Sequence, residues 1–402
     1  MYTPSEIIVQ ESVLDHPVTQ EIVLNCPDSV VVACPLESNA SDVEILGQYS
    51  RLYDPNLPVA ERRKLGRKVL FLHGSEDVLV TMAAGANAEK RCHNFMEITP
   101  YRATCLFNCE YCWFKDPDLM LRVNVTFFDR LGQIDRVIEQ EPPEHDTVLT
   151  FTHYKSDCLS IEHLTGFSQR LVRYFADQDR AYLVLLTKSS AIQPILGLRH
   201  GGHTIVQWTI NADYFTRKYE HGTASLEAKL GAAREVAKEG YPVVFRCDPI
   251  FAFDGWREHY RAMVDTIFQY MRPDHVTLGV AKFQSLKEVR EIIANRYGHD
   301  GELLREQLKD FVLAKGSASN GYEVEANPHD HTMSDMPYSY PDEMRFALLE
   351  HIISCFRQNS HDLSIGICEE PASMWDALDL HYRGHKNFDC ACNFTGFRES
   401  QH

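Results

Sequence analysis

From residue 94 to residue 285, the chain alternates short apolar runs with amphipathic segments. Six of the runs are continuously apolar or β-branched, which predicts strands that are covered on both faces. They span residues 96–100, 146–152, 181–187, 204–210, 242–247 and 275–280, and helices are predicted at residues 161–176, 191–198, 225–239 and 259–271. Strands and helices that alternate at this period form parallel β/α units. The sequence therefore predicts an α/β fold with a partial (β/α)6 barrel.

The loop after the first predicted strand carries Cys105, Cys109 and Cys112, spaced as C-x3-C-x2-C and followed by the aromatic Trp113. Three thiolates this close can bind three irons of a cubane iron-sulfur cluster and leave the fourth iron open for chemistry. A structural zinc ion would need a fourth protein ligand. Cys92 is the obvious cysteine candidate, but no second C-x-x-C pair accompanies it. Zinc is therefore the weaker interpretation, and three unrelated buried cysteines are weaker still.

Composition limits the compartment and the partners. The chain of 402 residues has a formal net charge of −17 and 12 irregularly spaced cysteines, and it begins without a basic and apolar signal segment. We therefore expect reduced cysteines and a cytoplasmic location. No apolar run approaches the roughly 20 residues that span a bilayer, so no membrane partner is expected. The acidic balance gives no global attraction to nucleic acid, whose binding depends on neutralising phosphates.

The cysteine spacing resembles the signature of the radical S-adenosylmethionine (SAM) superfamily. Further segments resemble spore photoproduct lyase and its relatives in the same chain order, among them Ser156-Asp157, Leu186-Thr187-Lys188, Thr209-Ile210-Asn211, His221-Gly222-Thr223 and Asp248-Pro249-Ile250. The resemblance implies a TIM-type partial barrel of the radical SAM type, a [4Fe-4S] cluster on the three loop cysteines, and SAM as cofactor. It also implies reductive cleavage of SAM to a 5′-deoxyadenosyl radical that abstracts hydrogen from a substrate. A flavodoxin- or ferredoxin-type protein is the expected electron donor.

Polar residues follow the apolar runs, as expected where a barrel of this type carries its chemistry at the carboxyl ends of its strands. By resemblance, Lys188 and Thr209 match positions that hold the methionine and ribose portions of SAM, with Ser156 and Asn211 nearby and Tyr111 beside the cluster. A lysine suits a carboxylate, and hydroxyl and amide groups suit a ribose. These residues are the predicted SAM-binding set, apart from Tyr111, which is predicted to be catalytic.

Two positions depart from the family's pattern. The lyase returns hydrogen to its substrate radical from a cysteine just before the Ser-Asp pair, where this chain has Tyr154, and a tyrosine after the third cluster cysteine is Trp113 here. Tyr154 and Lys282, which follows the sixth run, are predicted to be catalytic with Tyr111. The missing thiol and the acidic charge favour a small or medium-sized metabolite over DNA as substrate. The alternative is repair of a thymine-dimer lesion in DNA, and a second alternative is a non-catalytic iron-sulfur or zinc-binding module.

The C-terminal region adds a second group of ligand-type residues, namely Cys368, His381, His385, Cys390 and Cys392. Their types and their closeness suit a zinc ion or a second cluster. The sequence fits equally well with reduced cysteines buried on one strand face and histidines at the surface. A third interpretation is that Cys390 or Cys392 donates a hydrogen atom to a product radical.

The chain is predicted to divide into three regions. Residues 1–90 form a small N-terminal α/β cap, residues 91–285 form the partial barrel, and residues 286–402 form a C-terminal region that covers the substrate and carries the Cys/His extension.

Overall fold

The computed structural model describes residues 2–83, 95–102, 105–112, 120–141, 146–151, 156–283, 312–313 and 338–380. In chain order, its strands are β1 (Glu6–Gln10), β2 (Val30–Cys34), β3 (Val69–His73), β4 (Val80–Ala83), β5 (Phe95–Ile98), β6 (Tyr101–Arg102), β7 (Asn108–Cys109), β8 (Leu121–Asn124), β9 (Thr147–Phe151), β10 (Ala181–Thr187), β11 (Thr204–Ile210), β12 (Glu220–His221), β13 (Val243–Ile250), β14 (His275–Val280), β15 (Lys282–Phe283), β16 (Val312–Leu313), β17 (Tyr338–Ser339) and β18 (Ser364–Ile367).

The helices are α1 (Pro17–Leu24), α2 (Asp42–Tyr49), α3 (Val59–Gly66), α4 (Gly132–Gln140), α5 (Glu162–Thr165), α6 (Phe167–Phe175), α7 (Asp213–Tyr219), α8 (Leu226–Lys238), α9 (Trp256–Tyr270), α10 (Asp342–Asn359) and α11 (Ala372–Ala377). Short 3-10 turns occur at Glu11–Val13, Phe127–Arg130 and Gln193–Ile195. In the part of the chain that the structure describes, no helix has the length and apolar character needed to cross a membrane.

The N-terminal sheet has the order β2-β1-β3-β8-β6, with only β6 antiparallel to its neighbour. Alternate residues of β1 point to opposite faces, so Ile8 packs against α2 while Ile7 and Val9 join the main core. The sheet takes in β6 and β8, which flank the cysteine loop in sequence. The boundary at residue 90 stays a prediction, because the N-terminal layer also uses chain from residues 101–124.

A buried ion pair fixes β8 within this layer. The Nε atom of Arg122 donates to Asp42 at 2.6 Å, and its guanidinium also donates to the carbonyls of Ser38 and Ala40 at 2.8 and 2.7 Å. A buried charge is tolerated when it is paired and its remaining donors are bonded, as they are here. The segment that follows the cysteine loop is thereby attached to the N-terminal layer.

The main sheet has the order β18-β14-β13-β11-β10-β9-β5-β4. Its six central strands are the six predicted ones, each parallel to the next in chain order. β4 is antiparallel at one edge, and β18, which we did not predict, is parallel at the other. As far as the described residues show, this sheet is open, which confirms the predicted partial barrel.

Three predicted helices have different outcomes in the structure. The segment at residues 225–239 is confirmed as α8, with Leu226, Leu230 and Ala233 buried on one face. The helix predicted at residues 191–198 is wrong: only a 3-10 turn forms there, and it ends because Leu196 is extended and Gly197 has a φ of +70°. The segment at residues 161–176 divides into α5 and α6 at Gly166, which adopts a φ of +64°.

Candidate active site

The cysteine loop is held by a short antiparallel pairing with the barrel. Strand β7 pairs with β12, so that Cys109 lies opposite Glu220. The amide of Glu110 donates to the Tyr219 carbonyl at 2.9 Å, and the amide of Cys112 donates to the Cys109 carbonyl at 3.1 Å. These bonds fix the backbone of the second half of the loop against the segment that follows α7.

The three loop thiols differ in burial. Cys109 is buried, whereas Cys105 and Cys112 are half-buried. Burial raises the pKa of Cys109 to about 12, with Lys188 opposing the shift, and burial together with Asp157 and the two other thiols raises the pKa of Cys105. Both other thiols contribute to the raised pKa of Cys105. Among the residues that the structure describes, no group of three or more His, Cys, Asp and Glu side chains has the arrangement of a metal site. Cys105 and Cys109 are protonated at neutral pH without metal, so binding an iron cluster there requires release of their protons.

Beneath the loop lies a buried network centred on Glu220. Lys188 Nζ is 2.8 Å from Glu220 Oε1, and Lys229 Nζ is 3.3 Å from Oε2. Lys188 also donates to the Tyr111 hydroxyl at 2.9 Å, and that hydroxyl donates to Glu220 Oε1. The Thr216 hydroxyl donates to Oε2 at 3.2 Å. Glu220 thus receives four side-chain donors from three different segments and the loop itself.

The charges of this network explain its titration. Burial alone would raise the pKa of Glu220, but Lys188 and Lys229 lower it to about 2. Burial opposes the charged form of Lys188, but the negative charge of Glu220 keeps the pKa of Lys188 above its usual value. Burial raises the pKa of Tyr111, so its hydroxyl stays protonated and able to donate. Burial lowers the pKa of Lys229, with Glu220 opposing that shift, so the two lysines that share the Glu220 carboxylate titrate in opposite directions.

Asp157 connects the ends of β9 and β10. Its carboxylate accepts hydrogen bonds from the Thr187 hydroxyl at 2.9 Å, the Lys188 amide at 2.7 Å and the Leu159 amide at 3.1 Å. Burial raises the pKa of Asp157, and these bonds act against that shift. Asp157 therefore orients the backbone from which Lys188 extends. The predicted ligand Ser156 is its immediate neighbour and is half-buried.

Thr209 and Asn211 lie at the end of β11 in different settings. Thr209 is 7% exposed, whereas Asn211 is fully buried. The Asn211 amide donates to the Pro249 carbonyl at 2.8 Å, and its oxygen accepts from the Ala212 amide at 2.9 Å. In this structure Asn211 joins the ends of β11 and β13 rather than presenting its side chain to a ligand.

Lys282 lies on the far side of the strand ends, in a second buried network. Its ammonium group donates to the carbonyls of Cys368 and Glu369 at 3.1 and 2.6 Å and is 2.9 Å from the Glu370 carboxylate. Arg345 contacts the other oxygen of Glu370 at 3.1 Å. Glu369 has a φ of +54°, a conformation that needs such support in a residue other than glycine. Lys282 thereby holds the turn after β18.

Cys368 is the one member of the C-terminal ligand group that the structure describes. It is buried at the end of β18, and a guanidinium nitrogen of Arg246 lies 3.5 Å from its sulfur. Arg246 also pairs with Asp248, its neighbour along β13. The predicted residues Tyr154, His381, His385, Cys390 and Cys392, together with Trp113, lie outside the described residues.

The structure places the Lys188 ammonium group 2.9 Å from the Tyr111 hydroxyl, and Cys109 lies opposite Glu220 in the same network. Sequence reasoning missed Glu220 and Lys229, which carry the buried charge of the site. Glu220 follows the unpredicted helix α7, and Lys229 lies on α8 among apolar residues. A lysine within a buried helical face was the available signal, because lysine is almost never fully buried unless it is paired.

A comparison with protein families identifies the chain. The family model for spore photoproduct lyase matches residues 90–314, more than half of the chain. The chain belongs to the spore photoproduct lyase family. As a family member it is a radical SAM enzyme, and a [4Fe-4S] cluster and SAM are the cofactors of that family, which confirms both predictions.

Individual relatives agree with this membership. The spore photoproduct lyase of Bacillus subtilis (strain 168) is 28% identical over 255 residues, 60% of this chain and 72% of the relative. The spore photoproduct lyase of Geobacillus sp. (strain Y412MC61) is 26% identical over 208 residues, 49% of this chain and 59% of the relative. The chain therefore spans about three fifths of the latter protein's length.

Solved spore photoproduct lyases share the fold. One is a complex with a dinucleoside spore photoproduct, and it has a TM-score of 0.71 at 19% identity. The match covers 90% of this chain and 98% of the solved chain. A variant with bound AdoMet and the same dinucleoside has a TM-score of 0.72 at 19% identity, with the same coverage. These relatives hold a dinucleoside spore photoproduct, so the expectation that a small molecule is favoured over DNA as partner is wrong. The missing thiol at Tyr154 and the acidic net charge were insufficient grounds for it.

Proposed function

We propose that this chain is a radical SAM lyase that acts on a thymine-dimer lesion of the spore photoproduct class in DNA. The observation that carries the proposal is the family match across residues 90–314, because that range contains the cysteine loop and all six predicted strands of the barrel. The solved relatives that hold a dinucleoside spore photoproduct support it through their shared fold. The site residues named below are part of the proposal.

Cys105, Cys109 and Cys112 are the residues we assign to the [4Fe-4S] cluster. Three thiols on one anchored loop match three irons and leave one iron to bind SAM. When bound, the cluster and SAM supply the radical chemistry that abstracts hydrogen from the lesion. The protein's own contributions are binding, orientation and protection of the reacting groups.

Lys188 is the residue we assign to the SAM carboxylate. Its side chain is 16% exposed, whereas the Lys229 side chain is completely buried, so only Lys188 of this pair can reach a ligand. The raised pKa of Lys188 keeps its ammonium group charged, and a ligand carboxylate would form an ion pair with it alongside Glu220. A bond between two charged groups also gives the strongest class of hydrogen bond available here.

Ser156, Thr209 and Asn211 line the same strand ends and receive different roles. Ser156 and Thr209 carry hydroxyl groups suited to the ribose of SAM. Asn211 supports the site indirectly, since both ends of its amide bind backbone at β11 and β13. Tyr111 stays in the proposal as a catalytic residue, and its hydroxyl is oriented by Lys188 and Glu220.

Lys282 is proposed to position the turn after β18 rather than to contact the lesion. Its ammonium group is engaged by two carbonyls and by Glu370. A basic strip for phosphates would comprise Lys155, which lies outside the described residues, together with Lys188, Arg246 and Lys282. Of the last three, Lys188 and Arg246 are paired with Glu220 and Asp248. We therefore propose that these three residues contribute little to phosphate binding, and that recognition at these strand ends depends on the bases of the lesion.

The test uses the full chain, reconstituted anaerobically with iron and sulfide and supplied with SAM, dithionite and a dinucleoside spore photoproduct. We expect the photoproduct to disappear and the thymine dinucleoside to form only when SAM and reductant are both present. Cys109→Ala should abolish the reaction, whereas Cys355→Ala, which removes a buried thiol from α10, should leave it intact. If SAM is cleaved while the photoproduct stays unchanged, the lyase proposal is wrong and another substrate must be sought.

A further inference from the structure

The cysteine loop has a second anchor, which comes from the N-terminal layer. Arg67 directly follows α3, and its guanidinium donates to the Leu106 carbonyl at 3.2 Å and to the Phe107 carbonyl at 3.0 Å. Leu106 and Phe107 are the first two of the three residues that separate Cys105 from Cys109. The third, Asn108, is already fixed by the pairing of β7 with β12. Arg67 thus binds the two residues of the spacer that take no part in the pairing of β7 with β12.

Arg67 is itself held in place. The carbonyl of Arg67 accepts a hydrogen bond from the Tyr2 hydroxyl at 2.8 Å, and the Tyr2 carbonyl lies 2.7 Å from the ring nitrogen Nε2 of His163. His163 belongs to α5, which follows the end of β9. The bonds therefore run from the barrel, through the N-terminal segment, to the loop. A planar guanidinium with two parallel donors suits two successive carbonyls in a way that an ammonium group does not.

The opposite side of the spacer is closed by the barrel. Gly222 follows β12 with a φ of +82°, and a Cβ atom added there would lie 3.9 Å from the Cα atom of Phe107. The backbone of Leu106 and Phe107 therefore runs between Arg67 and the turn at Gly222. A loop confined on both sides presents its flanking cysteines in a fixed arrangement.

We propose that Arg67 is a positioning residue for the iron-sulfur cluster, and that its positive charge raises the reduction potential of that cluster. This inference rests on the proposed placement of the cluster at Cys105, Cys109 and Cys112. Reduction adds one negative charge to the cluster. The guanidinium of Arg67 carries a permanent positive charge and binds the carbonyls of the two residues that follow Cys105, so it stabilises the reduced form. Hydrogen bonds around metal ligands also fix the ligands, and their loss commonly weakens metal binding.

The test compares three variants of the full chain, loaded anaerobically with the cluster. Arg67→Gln removes the charge and the paired donors, and Arg67→Lys keeps the charge but not the planar pair. Lys64→Gln is the matched control, because Lys64 is an exposed cation on α3, the helix that Arg67 follows, and its ammonium group bonds only to Glu61 among the described contacts. Iron and sulfide are counted after gel filtration at set times, and the midpoint potential is read by titration with electron paramagnetic resonance.

We expect Arg67→Gln to shift the midpoint to a more negative potential and to lose its cluster roughly tenfold faster than the unaltered chain. Arg67→Lys should keep a midpoint close to that of the unaltered chain and still lose its cluster faster. Lys64→Gln should match the unaltered chain in both measurements. If Arg67→Gln matches Lys64→Gln in midpoint and in cluster lifetime, the proposal is overturned.

Two further arms keep the outcome decisive. If circular dichroism shows that Arg67→Gln does not fold, Arg67→Lys decides the question, since a cluster lifetime equal to that of the unaltered chain would overturn the positioning role.

Cys109→Ala is loaded in parallel. If Cys109→Ala keeps its cluster, the cluster placement is wrong and the role of Arg67 is overturned with it. If Cys109→Ala loses its cluster and both Arg67 variants behave as the unaltered chain, only the role of Arg67 is overturned. No measurement here depends on the lesion.

Discussion

The ammonium group of Lys229 lies 3.3 Å from the Oε2 atom of Glu220, and neither side chain is exposed to solvent. Removing both charges from water costs several kcal/mol for each ion, so the pair persists only with good geometry and further partners. Lys188, Tyr111 and Thr216 supply those partners. Because Glu220 also pairs through its backbone with Cys109, the ion pair ties α8 and the end of β10 to the cysteine loop.

Replacing Glu220 by glutamine should strongly destabilise the protein. The substitution leaves two buried lysines without a counter-charge, and breaking a buried pair in this way typically costs about 3 to 5 kcal/mol. The free energy of unfolding, obtained from urea titrations at pH 7, measures the effect. A loss no larger than that of a surface substitution would show that the network does not support the fold.

The control for this change is Glu235→Gln. Glu235 pairs with Lys238 at 2.8 Å on α8, but both side chains are well exposed, and exposed pairs contribute little to stability. The double variant Glu220→Gln/Lys229→Met should recover part of the stability lost in Glu220→Gln, because it also removes one of the uncompensated charges.

Lys188→Met should weaken the binding of SAM. Loss of a hydrogen bond between charged groups corresponds to roughly a tenfold increase in the dissociation constant, or more. Equilibrium binding of SAM to the cluster-loaded enzyme measures it, with Lys238→Met on exposed α8 surface as the control. The fold should survive, because Lys229 remains to balance Glu220. An unchanged dissociation constant would remove Lys188 from the proposed SAM site.

Glu162 should make stability depend on pH. Its buried carboxylate accepts hydrogen bonds from the backbone amides of Ser168 and Gln169 at 2.9 and 3.0 Å. Burial nevertheless raises the pKa of Glu162 from 4.5 to about 7. Between those values the folded protein binds more protons than the unfolded chain. The free energy of unfolding therefore falls as pH rises from about 4.5 to about 7, by up to about 3 kcal/mol from this group.

The measurement compares the unaltered chain with Glu162→Gln in urea titrations from pH 4.5 to pH 8. Glutamine does not ionise, so the difference between the two unfolding curves should change steadily up to about pH 7 and then stay level. Parallel pH profiles for the two proteins would mean that Glu162 titrates near its usual range in the folded state.

By resemblance, Tyr154 matches the position of the cysteine that is expected to return hydrogen to the substrate radical in this family. If Tyr154 takes that role, Tyr154→Phe should lower formation of the repaired dinucleoside far more than it lowers cleavage of SAM, because the ring keeps its shape and loses its O–H. Tyr154→Cys restores a thiol and should retain repair. Equal effects on repair and on SAM cleavage in Tyr154→Phe would assign hydrogen return to another residue.

Much of the barrel was predictable from the sequence. The strands at residues 181–187, 204–210 and 275–280 have the predicted bounds. A strand covered on both faces requires a continuous apolar run, and such a run is visible in the local sequence alone. The three cysteines were equally readable, since their spacing lies within one loop. The family assignment followed from these local patterns.

Local periodicity could not reveal partners that are distant in sequence. Arg67 contacts a loop about forty residues away, and Glu220 faces Cys109 across more than a hundred residues. The sequence around Glu220 gives no sign of burial, because the residue sits between a short helix and a turn. Its role exists only once β12 pairs with β7.

The sequence by itself therefore determined the six central strands, the cluster motif and the family, which depend on burial patterns and on short spacings. Only the tertiary structure decided which charges neutralise one another: Lys188 with Glu220, Arg246 with Asp248, and Lys282 with Glu370. The physical reason is that an electrostatic interaction depends on separation in space and on burial, and neither quantity is set by separation along the chain.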